Sequence, residues 1–288
     1  MHTWDDLRFF LELSRCGSLS ETARRLKADH ATVSRRITAL ETRLGLKLFT
    51  RLPRGYLLTP EGHDLADRAT AVETAMLAVE RLARGSTDTL DGTVRISAPP
   101  VFASHWLTPR LLPLRQAHPA LCLEVVGESG FANLNRGEAD LALRLSRPED
   151  NGLIARSLGQ MRFGLYGATV YVAATAENDH VFLGYHGELA GSPQQVWLDS
   201  VRGRRQTGLR TNDLATLIAG VRSGMGLAAL PHMIAQDIPG LTCLCDAPAA
   251  TRELWLVVHP DLRQAARVRA VADHLTRITA PLRFPTED

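Results

Sequence analysis

The apolar positions of the first 45 residues recur every three or four residues, which is the period of amphipathic helices. They predict a helix over residues 4–15 and two shorter helices between Ser18 and Gly45, with a tight turn at Ala28-Asp29. Ser18 stands three positions before Glu21, as in a capping box, and Asp29 is a suitable N-cap for the second helix. Two helices joined in this way form the unit that places its second helix in the major groove of DNA.

The second of these helices should bury one apolar stripe and expose a polar, basic face. Four residues at helical spacing form the stripe: Val33, Ile37, Leu40 and Leu44. On the outward side, His30 and Thr32 are candidates for reaching base edges, and Ser34, Arg35 and Arg36 are candidates for phosphate contacts. An ordinary helical hairpin with a solvated basic face would show the same spacing.

A short hairpin follows, with two apolar stretches at 47–50 and 56–59 around a turn at 51–55. It completes a predicted winged helix-turn-helix domain over residues 1–59. Arg51 and Arg54 stand where a wing reaches flanking phosphates or the minor groove. The alternative for both is a solvated turn arginine.

A long helix is predicted over residues 60–84, beginning at Thr59-Pro60-Glu61 with an N-cap, a first-turn proline and an acidic residue. Its apolar residues recur at about 3.5-residue spacing, which predicts a seam for a partner helix. The candidate dimerisation residues are Leu65, Val72, Met76 and Val79. A paired arrangement places two recognition helices on two half-sites.

Residues 85–92 are polar and bounded by glycines, as in a hinge. Beyond them strands alternate with helices, which predicts open, mainly parallel sheets. Strands are expected at 94–96, 121–126, 140–145, 227–230 and 254–258, and residues 153–158 and 163–166 lead into a second unit. Helices are expected at 100–117, interrupted by Pro109 and Pro113, and at 131–136, 213–223 and 262–278.

The net charge of +2 is unevenly distributed. Residues 1–60 hold eleven Lys and Arg against six Asp and Glu, a net +5, and the remainder is net −3. A basic module joined to a mildly acidic body suits a nucleic-acid binder with a sensing domain. No stretch is apolar enough for a membrane span, and no signal-peptide pattern begins the chain, so a cytoplasmic protein is expected.

Enzyme motifs for nucleophilic, zinc-peptidase or phosphate-loop chemistry do not occur in the sequence, so an enzyme is not expected. The histidines and the four cysteines lack metal-ligand spacing, so no metal or cofactor is expected either. Cys243 and Cys245 alternate along an expected strand, where two buried thiols are the more common outcome.

The run ATVSRRITALETRLGLKLFTRLPRGYLLTPEG, residues 31–62, resembles the N-terminal signature of the LysR-type transcriptional regulators. Residues 137–148, 210–231 and 253–263 resemble the effector-binding half of that family. One departure is Asp29-His30-Ala31, where the family usually has Ser-Gln-Pro, so base preference does not transfer from relatives.

The resemblance implies an α+β multidomain fold: a winged helix-turn-helix, a long linker helix and two α/β subdomains like those of periplasmic binding proteins. The effector-binding domain would span 93–288, with subdomain I at about 93–161 and 263–288 and subdomain II at about 162–262. The implied partners are double-stranded promoter DNA, a small-molecule effector and further copies of the chain, as a dimer or a dimer of dimers. RNA polymerase is a further candidate partner.

Ligands of open α/β sheets settle where strands end and helices begin. With the family analogy, this nominates Ser97, Pro100, Val101, Phe102, Ser129 and Arg144 in subdomain I, and Trp197 and Asn212 in subdomain II. Arg144 would pair with an effector carboxylate, or serve a structural salt bridge or the surface. Glu128 and Pro99-Pro100 count against a simple anion site.

The resulting hypothesis is a sequence-specific transcriptional regulator controlled by a small effector in the cleft between the α/β subdomains. The alternative is a DNA-binding protein without an effector, whose α/β half serves only oligomerisation.

Overall fold

The computed structural model describes residues 4–53, 55–85, 90–128, 134, 138–148, 150 and 152–282. The chain divides into two compact units, residues 1–81 and 82–288. Each unit is described by itself.

The first unit begins with three helices, α1 (Trp4–Cys16), α2 (Leu19–Leu26) and α3 (His30–Leu44), as the apolar spacing predicts. The predicted caps are confirmed. Ser18 accepts a hydrogen bond from the Glu21 N–H at the start of α2, and Asp29 accepts one from the Thr32 N–H at the start of α3. Gly45 ends α3 with a φ of +65°, a conformation that glycine adopts without strain.

The predicted hairpin consists of β1 (Phe49–Leu52) and β2 (Gly55–Leu58), which pair antiparallel. Helix α4 (Pro60–Gly85) follows, and the hydroxyl of Thr59 accepts from the Gly62 N–H at 3.0 Å, so the predicted N-cap is confirmed. The core of the unit contains five fully buried side chains from α1, α3 and the segment before β1: Phe10, Leu13, Val33, Leu40 and Leu48.

A buried carboxylate joins α1 to α3. Asp6 is 3% exposed, and its Oδ1 lies 3.0 Å from Nη1 of Arg36. Its Oδ2 forms a second ion pair with Nη2 of Arg43, two helical turns further along α3. Because a buried carboxylate is costly without partners, these two arginines fix the rotation of α3 against α1.

In the second unit, six of the described strands form one sheet in the order β4-β3-β5-β10-β6-β9. The strands are β3 (Gly92–Ala98), β4 (Leu121–Gly127), β5 (Leu141–Arg144), β6 (Ile154–Ala168), β9 (Ala228–Pro231) and β10 (Leu241–Val258). A smaller parallel pair consists of β7 (Phe182–Tyr185) and β8 (Thr207–Thr211). Strand β3 is parallel to both its neighbours, but β6 and β10 run antiparallel to theirs. The expectation of mainly parallel sheets is therefore wrong, because the two longest strands run in opposite directions.

Helices cover these strands. They are α5 (Thr108–Arg110), α6 (Leu112–Ala117), α7 (Thr169–Ala174), α8 (Pro193–Arg202), α9 (Leu214–Arg222), α10 (His232–Ala235) and α11 (Ala266–Ile278). A π-helical turn, Phe102–Leu107, precedes α5. The helix predicted over 100–117 is thus broken into pieces, and Pro109 and Pro113 each stand in the first turn of one piece, where a missing N–H is harmless. The predicted helix at 131–136 lies outside the described residues except for Leu134.

Strands β6 and β10 cross between the two halves of this unit. Residues 154–158 and 163–166 belong to a single strand, β6, and the strand predicted at 254–258 is only the end of β10. Their ladder runs from Leu241 opposite Ala168 to Val258 opposite Ile154, with an irregularity where Ala247 and Thr251 oppose consecutive residues of β6. These strands provide the two connections between α/β subdomains that the family resemblance implies.

Cys243 and Cys245 correct a second expectation, since both are exposed rather than buried. Between them the register shifts, so they oppose the consecutive residues Tyr166 and Leu165 instead of residues two apart. A bulge of this kind turns side chains out of the regular alternation.

Replacing Asp6 by Asn should lower the free energy of unfolding of the first unit by about 1–3 kcal/mol, since two arginines lose a buried carboxylate but can hydrate in part. Hydrogen exchange of α1–α3 amides, followed by mass spectrometry, measures the loss of protection. Asp5→Asn is the matched control, because Asp5 is exposed and 3.8 Å from Arg36. Equal protection in both variants would contradict the role assigned to Asp6.

Candidate functional site

The outward face of α3 is polar and basic. Its exposed residues include His30, Ala31, Ser34, Arg35, Thr38 and Thr42. Within the described part of the chain, no ion pair involves Arg35, whose guanidinium is therefore available to a ligand. Thr38 was not predicted, although it stands four residues after Ser34 and so lies on the same helix face.

Two of the predicted base-contacting residues lie at the N-terminal end of this face. The Thr32 N–H and hydroxyl donate to Asp29 at 2.6 and 2.9 Å. These hydrogen bonds, the backbone one first, lower the pKa of Asp29 and keep it charged at the helix start. His30 Nε2 shares a hydrogen bond of 2.7 Å with the hydroxyl of Ser20 on α2. Local contacts thus orient both His30 and Thr32.

Arg36 was predicted to contact phosphate, but the structure turns it inward. Its guanidinium pairs with Asp6, approaches Asp5 at 3.8 Å and lies 5.1 Å from the centre of the Phe9 ring. The physical reason is its position three residues after Val33, beside the buried stripe of α3 rather than opposite to it. Arg36 therefore belongs to the packing of α3 on α1.

The predicted wing lies beside α3. Arg51 is exposed on β1, whereas Arg54 lies outside the described residues. Glu41 on α3 holds the start of the hairpin, because its carboxylate accepts from the N–H groups of Leu48 at 2.8 Å and Phe49 at 3.3 Å. Partial burial opposes the charge on Glu41, but the hydrogen bonds outweigh it and lower its pKa. The hairpin is thereby fixed to the helix that carries Arg35.

The seam predicted on α4 divides into two parts. Val72, Met76 and Val79 are 44, 41 and 64% exposed, which is unusual for three apolar residues on one helix face. Leu65, by contrast, is half-buried against the core of its own unit, so it supports the intramolecular packing of α4. The exposed stripe is the part of the seam that a partner would cover.

In the second unit, the structure brings together two of the predicted effector residues, Ser97 and Arg144. Nη2 of Arg144 donates to the Ser97 hydroxyl at 3.0 Å, and Nη1 donates to the carbonyl of Leu143 at 2.9 Å. Both residues are buried at the carboxyl ends of β3 and β5. Burial lowers the pKa of Arg144, and the Glu128 carboxylate partly offsets this effect. Because Arg144 is buried, the surface role considered for it is excluded. Ser129, another predicted effector residue, lies outside the described residues.

Three other predicted effector residues, Pro100, Val101 and Phe102, take no part in the hydrogen bonds between Ser97 and Arg144. Val101 and Phe102 are 5 and 2% exposed, and the Phe102 ring stacks on Trp106 at 5.0 Å. Their side chains belong to the hydrophobic core, because the helix turns its apolar face inward immediately after Pro100. Pro100 is exposed and packs closely on Gly127, where an added Cβ would lie 3.3 Å from the proline Cα.

In the second subdomain, Asn212 is exposed and directly follows β8, whereas Trp197 is half-buried and packs against the core. Tyr185 and Arg252 were not predicted from the amino-acid pattern. Tyr185 ends β7, and burial first, then the Asp213 charge, raises its pKa. Burial lowers the pKa of Arg252 on β10, although Tyr185 partly offsets the shift. Ionisable groups whose pKa is shifted by burial occur often at functional sites.

A helix-turn-helix with an open arginine, together with an α/β unit that buries polar groups at its strand ends, defines a DNA-binding regulator with a ligand-binding domain. The chain matches the family model of the LysR substrate binding domain over residues 87–279. It also matches the model of the bacterial regulatory helix-turn-helix protein, lysR family, over residues 4–63. The chain belongs to the LysR family of transcriptional regulators.

Individual relatives agree with this assignment. The Mau operon transcriptional activator of Paracoccus denitrificans is 30% identical over 271 residues, which cover 94% of each chain. Full-length AphB, a Vibrio cholerae virulence activator, has the same fold with a TM-score of 0.58 at 22% identity, over 95% of this chain and 98% of its own. CbnR complexed with its target DNA has a TM-score of 0.52 at 17% identity, over 96% of this chain and 100% of its own. These relatives are regulators and not enzymes.

Among the described residues, no helix is both long and apolar enough to cross a membrane.

Arg35→Ala should weaken binding to duplex DNA and lower the salt slope of log K by about 0.9, the value for one phosphate contact. Arg8→Ala is the matched control, since Arg8 is exposed on α1, outside α3. Fluorescence anisotropy at several salt concentrations measures both slopes. Equal slopes in the two variants would show that Arg35 does not contact phosphate.

Proposed function

We propose that this protein is a dimeric regulator that binds a dyad-symmetric promoter site and responds to a small-molecule effector in the cleft between its α/β subdomains. The observation that carries the DNA-binding part is the open guanidinium of Arg35 on the exposed face of α3. In the same unit Arg36 and Arg43 pair with Asp6, and Arg15 pairs with Glu73 at 2.5 Å. Such pairing leaves the outward face of α3 as the basic surface that suits the major groove.

The proposed DNA contacts are those of α3 and of the wing. Ser34, Arg35 and Thr38 would approach the duplex, with His30 and Thr32 nearest the base edges, while Arg51 would reach the flanking backbone. CbnR, whose fold this chain shares, has been solved with its target DNA, which supports the same use of the domain here. A regulator of promoters acts in the cytoplasm, and RNA polymerase is its natural further partner.

The proposed dimer uses the exposed stripe of α4. Val72, Met76 and Val79 are four and three residues apart, the spacing of a coiled-coil seam. A pair of such helices would join two DNA-binding units, so that two copies of α3 address two half-sites. A dimer of dimers would then come from further contacts of the α/β units.

The proposed effector binds near Ser97 and Arg144, with Asn212, Tyr185 and Arg252 contributed by the second subdomain and the crossing strand. Desolvated guanidinium groups favour a ligand with a carboxylate or another planar anion, because such a group accepts two parallel hydrogen bonds. Glu128 would limit the negative charge that the site tolerates. The effector acts only if it binds one arrangement of the subunits better than another.

The first test selects genomic fragments bound by the purified protein. Wild type should recover a dyad-symmetric site, whereas Val79→Asp should elute as a monomer and bind that site about a hundredfold more weakly, because bivalent binding is lost. Size-exclusion chromatography and anisotropy measure the two effects. Thr74→Asp is the control, since Thr74 is exposed and, two residues after Val72, lies on the opposite side of α4.

Uniform recovery of all sequences by wild type would leave only electrostatic DNA binding, and the proposal of a specific regulator would fail. A monomeric wild type, or a dimer that survives Val79→Asp, would exclude the α4 seam as the interface.

The effector is tested by thermal-shift screening of small carboxylates. A ligand at a hundredfold excess over its Kd should raise the Tm by roughly 5–10 °C. Arg144→Met should abolish this shift and retain DNA binding. Arg147→Met is the control, because Arg147 is exposed just after β5 and lies over the Trp255 ring. Absence of any stabilising compound, or equal shifts in both variants, would favour the alternative of an effector-independent DNA-binding protein.

A further inference from the structure

Three potential metal ligands meet on one face of the second subdomain. They are a ring nitrogen of His232 at the start of α10, the sulfur of Cys243 and a carboxylate oxygen of Asp246 on β10, all within 4.8 Å of one another. They are separated by three to fourteen positions in sequence, and the pairing of β6 with β9 and β10 brings them together. Cys243 and Asp246 therefore lie on a paired strand, and His232 directly follows another, β9.

The His232 ring is held in a defined orientation. Its Nδ1 lies 2.8 Å from the hydroxyl of Tyr166, and its Nε2 lies 3.3 Å from Oδ1 of Asp246. In the tautomer in which the Nδ1–H group donates to the Tyr166 hydroxyl, Nε2 carries the free lone pair of the ring. This tautomer directs the Nε2 lone pair toward Asp246 and Cys243. Metal-binding histidines usually have such a partner on the second nitrogen.

A glycine forms the floor of the cluster. A Cβ at Gly164 would lie 2.5 Å from Cε1 of His232 and 2.9 Å from the sulfur of Cys243. Only glycine leaves room for both ligands above β6, so the space between them depends on this residue.

The spacing and the chemistry of the three donors agree. Tetrahedral ligands at about 2.0–2.1 Å from zinc lie about 3.3 Å apart, which is the distance between His232 Nε2 and Asp246 Oδ1. Oδ2 of Asp246 faces Arg162 at 3.9 Å, which leaves Oδ1 directed at the histidine. A thiolate, an imidazole and a carboxylate together suit zinc and similar transition metals rather than magnesium or calcium.

We propose that His232, Cys243 and Asp246 form a binding site for a divalent transition-metal ion of the zinc type, with the fourth position open to water. Rotation of the Cys243 side chain would bring its sulfur to coordination distance. Because the thiolate is the form that binds metal, binding releases the thiol proton. The proposal is independent of the effector, because it rests on different residues.

Cobalt(II) is the probe, because a cobalt–thiolate bond gives a charge-transfer absorption band that water and carboxylate ligands do not. Reduced, chelator-treated full-length protein should take up one equivalent with this band, and zinc should displace the cobalt. Cys243→Ser should abolish the band and weaken zinc binding at least about a hundredfold. Cys245→Ser should retain both, since Cys245 is an exposed cysteine two residues away and outside the cluster.

Gly164→Ala gives a second, sulfur-preserving test, because it should close the site while all four cysteines remain. Circular dichroism and DNA binding show whether each variant folds. If the Gly164→Ala variant does not fold, His232→Gln is used in its place, and the same loss of zinc affinity is expected. The proposal is overturned if wild type shows no cobalt–thiolate band. It is also overturned if the band survives Cys243→Ser or disappears with Cys245→Ser.

Discussion

The antiparallel pairing of β6 with β10 is the constraint on which the whole α/β unit depends. Each strand runs through both subdomains, so the backbone hydrogen bonds between them hold the two halves at a common register. Buried side chains of both halves, such as Leu254 from the crossing and Leu230 from β9, belong to one hydrophobic cluster. For the effector proposed above, this ladder is the most extensive strand pairing between the two halves among the described residues.

In the DNA-binding unit, the pairing of charges determines which arginines are available. A net charge of +5 over residues 1–60 suggests a broadly basic surface, but five of the described arginines have carboxylate partners: Arg15, Arg24, Arg25, Arg36 and Arg43. Arg25, for example, pairs with both Glu12 and Glu21. The internal pairs stabilise the packing of α1 against α2, α3 and α4. They also reduce the contribution of those guanidinium groups to non-specific attraction to DNA phosphates. Recognition is thus concentrated on a few open positions, which favours specificity over general affinity.

Much of this architecture could be predicted from the sequence because it is local. Helical spacing and the cap residues Ser18, Asp29 and Gly45 define α1–α3, and apolar runs define β3–β5. Long-range features could not be predicted in the same way. The middle of β6 contains glycines, and the middle of β10 contains a proline flanked by alanines, so neither strand alternates regularly there. The length of both strands therefore depends on their pairing with each other. The pattern also does not predict β7, β8, α7 or α8. Arg35 and Arg36 are neighbouring residues of the same type, and their different roles follow only from the ion pair that Arg36 forms with Asp6. The cluster of His232, Cys243 and Asp246 likewise depends on strand register.

The irregularity between Ala247 and Thr251 has a consequence for chain length. Those two residues oppose consecutive residues of β6, Phe163 and Arg162, so β10 carries three residues with no counterpart. Adding or removing one residue there changes only the size of the bulge, and the ladder on both sides keeps its pairing. One residue lost from β6 at the same level would turn every later side chain to the opposite face of the sheet. The two crossing strands are therefore unequal: β10 accommodates insertions and deletions, and β6 sets the register.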